Sequence, residues 1–244
     1  MKKVLIIGAN SDMGKSFARD CAQKGSDLIL TGRDQARLEQ LADDLKIRNN
    51  IGIETILFDI TKRDQIISFY ENLPSKPDVV ACFIGFLAES DECANNFEIT
   101  ENIININFTN IILILDQIAN AFENFNNGTI IAVSSTAGDR GRASRYHYGS
   151  AKSGLNTYLS GLRQRLYKSN VRVINIKPGF CGTKMIKGIN TPEFLTSNPE
   201  DVSKAILRAI KYNLDTVYVY WFWKWIMLII KLIPEFIFKR LNIK

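Results

Sequence analysis

Residues 3–14 read KVLIIGANSDMG. Lys3 to Ile7 is a short, continuous apolar run of the kind that forms a buried strand. It stops at Gly8, and a helical pattern of apolar positions continues from Gly14 through Cys21 and Ala22. A strand, a glycine turn and a helix in that order direct backbone N–H groups and the positive end of a helix toward one point, which suits an anion. Only two of the three glycines expected of such a turn are present, because Asp12 stands where a middle glycine is usual. Alone, the turn is a weak fingerprint: Gly8 and Gly14 equally suit a tight turn with close helix packing, and Asp12 suits a helix cap.

The rest of the chain repeats the pattern. DLILTGRD (27–34) is a second strand, followed by a helix from Gln35 to Leu45. IETILFD (53–59) is a third, ending at Asp59 before a helix that starts near Thr61 and runs to about Leu73. Beyond Pro74 and Pro77, DVVACFIGF (78–86) is a fourth strand with Gly85 at its end. Asn95 to Ala121 is a long helix containing Asn107, a residue that inside a helix bonds the backbone or a water. GTIIAVSS (128–135) is a fifth strand, followed by a helix reaching about Tyr167. VRVINIK (171–177) is a sixth, followed by Pro178, Gly179 and Thr183. Strands alternating with helices predict an α/β fold with a doubly wound parallel sheet of about seven strands and helices on both faces. Ligands of such sheets bind beyond the carboxyl ends of the strands. Gly8, Arg33, Asp59, Gly85, Ser135 and Pro178 all fall at those ends. At the second of them an acidic residue suits the ribose of NAD and a basic one the extra phosphate of NADP, so Arg33 favours NADP and leaves NAD open.

The stretch SSTAGDRGRASRYHYGSAK (134–152) supplies the reactive groups. Tyr148 and Lys152, four apart, share a helix face. A phenol with a pKa near ~10 is a poor acid or base at neutral pH, and an adjacent ammonium favours its phenolate. With a serine hydroxyl opposite to hold a carbonyl oxygen, the tyrosine can give or take a proton. This is chemistry for interconverting a ketone and an alcohol, if a second group moves hydride. His147 points roughly 100° away from Tyr148 on the helix and is a bystander.

The 244 residues fit one large α/β domain with an appendage, 1–219 and 220–244. One histidine and four cysteines without a close pair leave a zinc or iron site without its usual ligands, so no metal is expected. The thiols read as reduced, which places the protein in the cytoplasm. The start MKKVLIIGAN reads as a first strand and not as a signal peptide. Much of the net charge of +6 lies near the C-terminus, which points to a contact there and not to nucleic acid.

These residues together resemble the short-chain dehydrogenase/reductase family from Lys3 to about Val219. The resemblance implies a Rossmann-type fold, with Tyr148 as general acid/base and Lys152 lowering its pKa and holding the nicotinamide ribose. It further implies Ser135, thirteen before the tyrosine, as the carbonyl contact in preference to Ser134, and Asn107 as holder of a relay water. Cofactor contacts are implied for Gly8, Asn10, Ser11, Asp12, Met13, Gly14, Arg33, Asp59, Ile60, Gly85, Tyr148, Lys152, Pro178, Gly179 and Thr183. Two features depart from the family pattern, Asp12 in the glycine turn and Cys82-Phe83-Ile84-Gly85 in place of an NNAG turn. With the C-terminal segment they are similar to a narrower group, the keto-sugar reductases that complete 2'-epimerisation of polyprenyl-phosphoryl ribose after a flavin-dependent oxidase has made the 2-keto sugar.

Tyr218 to Ile243 is rich in aromatic and aliphatic residues, interspersed with Lys224, Lys231, Lys239 and Arg240. Its lysines and Pro234 interrupt the ~20-residue span that crosses a bilayer. Two short amphipathic helices are expected, lying on the inner face of the membrane with Trp221, Trp223 and Trp225 at headgroup level. A lid over the pocket or a contact within a homo-oligomer are the alternatives. The functions to separate are a reductase of a lipid-linked keto sugar, a soluble carbonyl reductase of a small or steroid-like ketone, and a nucleotide-sensing protein without turnover.

Overall fold

The computed structural model describes residues 3–241. Six strands alternate with helices: β1 (Lys3–Ile7), β2 (Asp27–Gly32), β3 (Ile53–Leu57), β4 (Val79–Cys82), β5 (Gly128–Val133) and β6 (Val171–Lys177). A short pair, β7 (Phe180–Cys181) and β8 (Thr196–Ser197), stands apart, and β9 (Thr216–Tyr218) joins the main sheet. The order β3-β2-β1-β4-β5-β6-β9 is parallel throughout. The chain starts in the middle, winds outward to β3 and crosses back to β4, which opens a crevice beyond the ends of β1 and β4.

Helices cover both faces. α1 (Asp12–Gln23), α2 (Gln35–Arg48) and α8 (Pro199–Tyr212) bury Phe17, Leu38, Leu41, Val202 and Ile206 on one side. α6 (Asn110–Phe125) and α7 (Tyr146–Leu166) bury Ile111, Ile114, Leu155, Leu159 and Leu162 on the other. With both faces covered, the inner strands are apolar along their whole length instead of alternating, which is why KVLII and GTIIAV read so clearly.

Three predicted elements differ. The helix after Asp59 is only α3 (Arg63–Ile67). The fourth strand ends at Cys82, and the following residues run as an extended segment along the crevice. The long helix runs from Phe97 to Phe125 with a π-turn within it and is preceded by a separate α4 (Ser90–Asn95); its first part is α5 (Phe97–Ile104), whose N-cap Asn96 accepts a hydrogen bond from Ile99 N. A π-turn, Asn105–Thr109, joins α5 to α6. The span Phe97–Phe125 is long and apolar enough to cross a membrane. Here Ile103, Ile114, Leu115 and Ile118 are buried within the protein.

The C-terminal segment folds as α9 (Phe222–Leu232) and α10 (Glu235–Phe238), the two short helices expected. α9 is seated on the domain by Trp223 and Met227, both buried. Trp223 therefore does not lie outward with Trp221 and Trp225. Its indole fills the space above Gly179, where an added Cβ would come within 2.1 Å of the ring, and its Nε1 donates to Leu195 O at 3.3 Å.

Candidate active site

One cavity of about 800 Å³ lies at the carboxyl ends of the central strands. Its floor begins at the first turn. Gly8 has φ +86°, a left-handed conformation, and a side chain there would come within 3.1 Å of Phe83 O. Ser11 caps α1, its Oγ accepting from Gly14 N at 3.0 Å. Asp12 is therefore not the cap. It opens the helix, and its Oδ2 accepts from Lys184 N at 2.9 Å, tying the glycine turn to the segment after β7. Gly14 packs against Gly8 O, where no side chain fits, and is not exposed to the cavity.

Asn10, Ser11, Asp12 and Met13 line the cavity beside first-turn N–H groups that have no carbonyl one turn back. Asn10 donates through Nδ2 to Asp34 O at 3.0 Å, and its buried Oδ1 has no partner. Arg33 lines the same end, exposed, as does Arg37, one turn along and missed in the sequence. Asp34 Oδ1 caps α2 by accepting from Arg37 N. Ile60 lines the wall, with Phe58 and Thr61, but Asp59 does not. Asp59 Oδ1 instead accepts from Thr61 N and Thr61 Oγ1, both at 2.9 Å, and so forms the turn without capping α3. Pro178, Gly179 and Thr183 complete the far wall, with Trp223 beside them.

Ser135, Tyr148 and Lys152 line the opposite end of this cavity. Ser135 ends the strand extension of β5, and its Oγ accepts from Ala137 N at 3.1 Å. Ser134, one residue earlier, also borders the cavity, but its Oγ donates to Asn175 Oδ1 at 2.6 Å in a buried network. The loop after Ser135 packs tightly on α7, since a Cβ at Gly138 would meet Lys152 backbone at 2.6 Å. His147 is not among the cavity residues, as expected of a bystander.

The electrostatics depart from the expected pairing. Burial pushes the Tyr148 phenol up to about 12, against smaller downward effects of a Ser135 hydrogen bond and the Arg145 charge. Burial likewise brings Lys152 down to about 8. Its Nζ lies 5.7 Å from the Tyr148 ring centroid and reaches instead toward Ile84 O and Val133 O at 3.4 Å. Removing both groups from water favours both neutral forms.

Asn107 lies behind the cavity wall and not in it. It is fully buried in the π-turn, where its Nδ2 donates to Phe86 O and Ile103 O and its Oδ1 accepts from Phe86 N. Both amide hydrogens are spent, so the side chain pins the segment carrying Gly85 and does not donate to a relay water. A Cβ on Gly85 would lie 3.2 Å from the end of Met185 and 3.4 Å from Asn107 Oδ1, close to both residues.

A profile of the short chain dehydrogenase family matches residues 2–193. The chain belongs to the short chain dehydrogenase family. It is therefore an oxidoreductase of that family. An uncharacterised oxidoreductase of Mycobacterium tuberculosis is 28% identical over 243 residues, covering 98% of this chain and 96% of its own. Among solved structures, a short-chain dehydrogenase from Sphingobium yanoikuyae in complex with NADPH superposes with a TM-score of 0.84 at 22% identity, covering 93% of this chain and 92% of that one. The closed form of a serine dehydrogenase complexed with NADP+ superposes with a TM-score of 0.77 at 26% identity, covering 88% and 93%.

The cavity fits a nicotinamide dinucleotide on its own chemistry. The glycine turn gives a pyrophosphate-sized approach to backbone N–H groups, the unpaired Asn10 Oδ1 awaits a donor, and Arg33 and Arg37 supply charge at the end where an adenosine phosphate would lie. Sequence reasoning also missed Arg142, Arg145, Lys184, Met185 and Trp223, which the cavity includes. Arg142 and Arg145 lay within the quoted 134–152 stretch, and their charge in a small-residue loop was the available signal.

Proposed function

We propose that this oxidoreductase uses NADP(H) to reduce a ketone to a secondary alcohol. The observation that carries this is the meeting of Ser135, Tyr148 and Lys152 with the glycine turn in one cavity. A bound NADPH would supply hydride to the carbonyl carbon. Ser135, whose oxygen already accepts from Ala137 N, keeps its own proton to donate to the carbonyl oxygen. Tyr148, a protonated phenol at neutral pH, can hand its proton to that oxygen as it becomes a hydroxyl. The Lys152 ammonium then faces the phenolate left behind. Arg33 and Arg37 support NADP over NAD, as do the NADP ligands of the two structural neighbours.

For the substrate we favour a polyprenyl-phosphate-linked keto sugar, delivered by a flavin-dependent oxidase partner. Arg142 and Arg145 line the wall near Tyr148, where a phosphate would compete with Glu89, which Arg145 Nη2 meets at 2.8 Å, and α9 adds the apolar Trp223 to the same wall. A second reading, a carbonyl reductase of a bulky neutral ketone, draws on Trp223, whose indole lines the cavity wall over Gly179. NADPH oxidation followed with a lipid-linked 2-keto pentose and with a steroid-like ketone separates the two. Turnover of the neutral ketone alone would select the second. Tyr148→Phe should lower ketone reduction by about 10²–10⁴-fold while leaving NADPH affinity nearly intact, and unchanged turnover would remove Tyr148 from its role.

A further inference from the structure

α9 has two apolar faces, and the fold uses one. At about 100° per residue, Trp223, Met227 and Ile230 fall within an arc of about 60° that packs against the domain. Trp221, Trp225, Leu228 and Leu232 fall within a similar arc on the opposite side, and Trp221 and Leu232 are 71% and 73% exposed. Phe236, Ile237 and Leu241 extend the apolar surface past Pro234. Eight of the twenty exposed large apolar side chains among the described residues thus lie between Trp221 and Leu241, whereas the other twelve are spread over the rest of the chain. Scattered exposed apolar residues are ordinary, but a continuous patch marks a binding surface.

Charge selects the occupant. Lys224 and Lys231 border the outer stripe on one side, and from Thr216 onward the sequence has five basic residues and one acidic residue, Glu235. Glu235 is engaged: its Oε2 accepts from Arg140 Nη2 at 2.8 Å. Arg140 also donates through Nη1 to Ile230 O and Ile233 O, both at 2.6 Å, and stacks over Phe238 at 3.7 Å. The helix end is thereby fixed to the loop between Ser135 and Tyr148, and the outer stripe is held facing away from the domain. Tryptophans and leucines bordered by lysines, with the one acid exposed but ion-paired to Arg140, match an anionic bilayer surface, where indoles sit among headgroups and lysines meet lipid phosphates.

We infer that the outer face of α9 and α10 docks on an anionic lipid surface, while the inner face of α9 forms the cavity wall through Trp223. The docking surface thus lies directly behind the wall of the active site. The inference does not depend on the identity of the ketone, so its failure would leave the oxidoreductase assignment unchanged.

The test is flotation of the full chain with vesicles of phosphatidylcholine, alone or mixed with phosphatidylglycerol, at low and high salt. The protein should float with the mixed vesicles and lose binding as salt rises. Trp225→Ser with Leu228→Ser should weaken binding on the order of 100-fold, with the thermal unfolding transition still cooperative. Lys224→Gln and Lys231→Gln should each cost roughly fivefold on the mixed vesicles only. If the serine pair does not fold, Trp221→Ser with Leu232→Ser tests the same stripe from its two ends. A wild type that stays unbound on mixed vesicles at low salt would overturn the inference. So would a dimer by light scattering that the serine pair converts to monomer while vesicles have no effect, since a second copy would then cover the stripe.

Discussion

Lys152→Met should make the protein more stable at neutral pH while removing its activity. Lys152 is 2% exposed, and burial lowers its pKa from 10.5 to about 8. At about 1.4 kcal/mol per tenfold change in proton affinity, folding with the ammonium buried costs about 3 kcal/mol at pH 7. The sign follows from proton counting. Below pH 8 both folded and unfolded chains hold the proton and the full penalty is present. Between 8 and 10.5 only the unfolded chain holds it, so wild-type stability rises with pH across that window. Methionine keeps most of the side-chain volume and removes the charge, but leaves Ile84 O and Val133 O without their long 3.4 Å contacts, an offset of about 1 kcal/mol. A net gain of about 2 kcal/mol remains, which in a chain of this size raises Tm by about 4–8 °C. Thermal unfolding of both proteins at pH 7 and pH 10 measures it, and the gain should shrink by more than half at the higher pH. A variant no more stable than wild type at pH 7, or a gain that does not change with pH, would refute the account of a buried, desolvated ammonium.

The same pKa sets a kinetic expectation: ketone reduction should fall above about pH 8 as Lys152 loses its proton and the phenolate its counter-charge, and a pH profile of kcat/KM flat to pH 10 would count against this. Arg33→Ala should weaken NADPH more than NADH by roughly 10–100-fold, from a charged hydrogen bond worth about 1.5–3 kcal/mol, and titration of both nucleotides would expose an equal loss. Gly179→Ala should displace the Trp223 indole, with a loss of about 1–3 kcal/mol from overpacking. A red shift in tryptophan emission and a lowered Tm report it, and an unchanged spectrum would mean the seat is not as described.

The strand and helix order was legible because a sheet covered on both faces leaves an unbroken apolar run for each strand, and the turns at the strand ends carry glycine or proline. The reactive set was legible for a local reason as well: Tyr148 and Lys152 are neighbours on one helix turn, and Ser135 ends the strand that precedes it. What sequence could not fix was the direction of individual side chains. Asp12 faces the cavity yet also ties down Lys184 N through Oδ2, Asp59 turns Oδ1 to Thr61, and Asn107 bonds Phe86 and Ile103. Those partners are up to 172 residues distant and are chosen only when the chain packs. The pKa values belong to the same class, since desolvation depends on what surrounds a group and not on its spacing along the helix.

The C-terminal segment shows the division most clearly. Its sequence determined that two short, apolar, lysine-bearing helices would form and that Pro234 would separate them. It could not say which of three tryptophans turns inward. Tertiary structure decided that, because Gly179, lacking a side chain, leaves room for the Trp223 indole that packs over it. The remaining apolar stripe faces outward because Trp223 and Met227 take the inner face of α9 and Arg140 fixes the helix end.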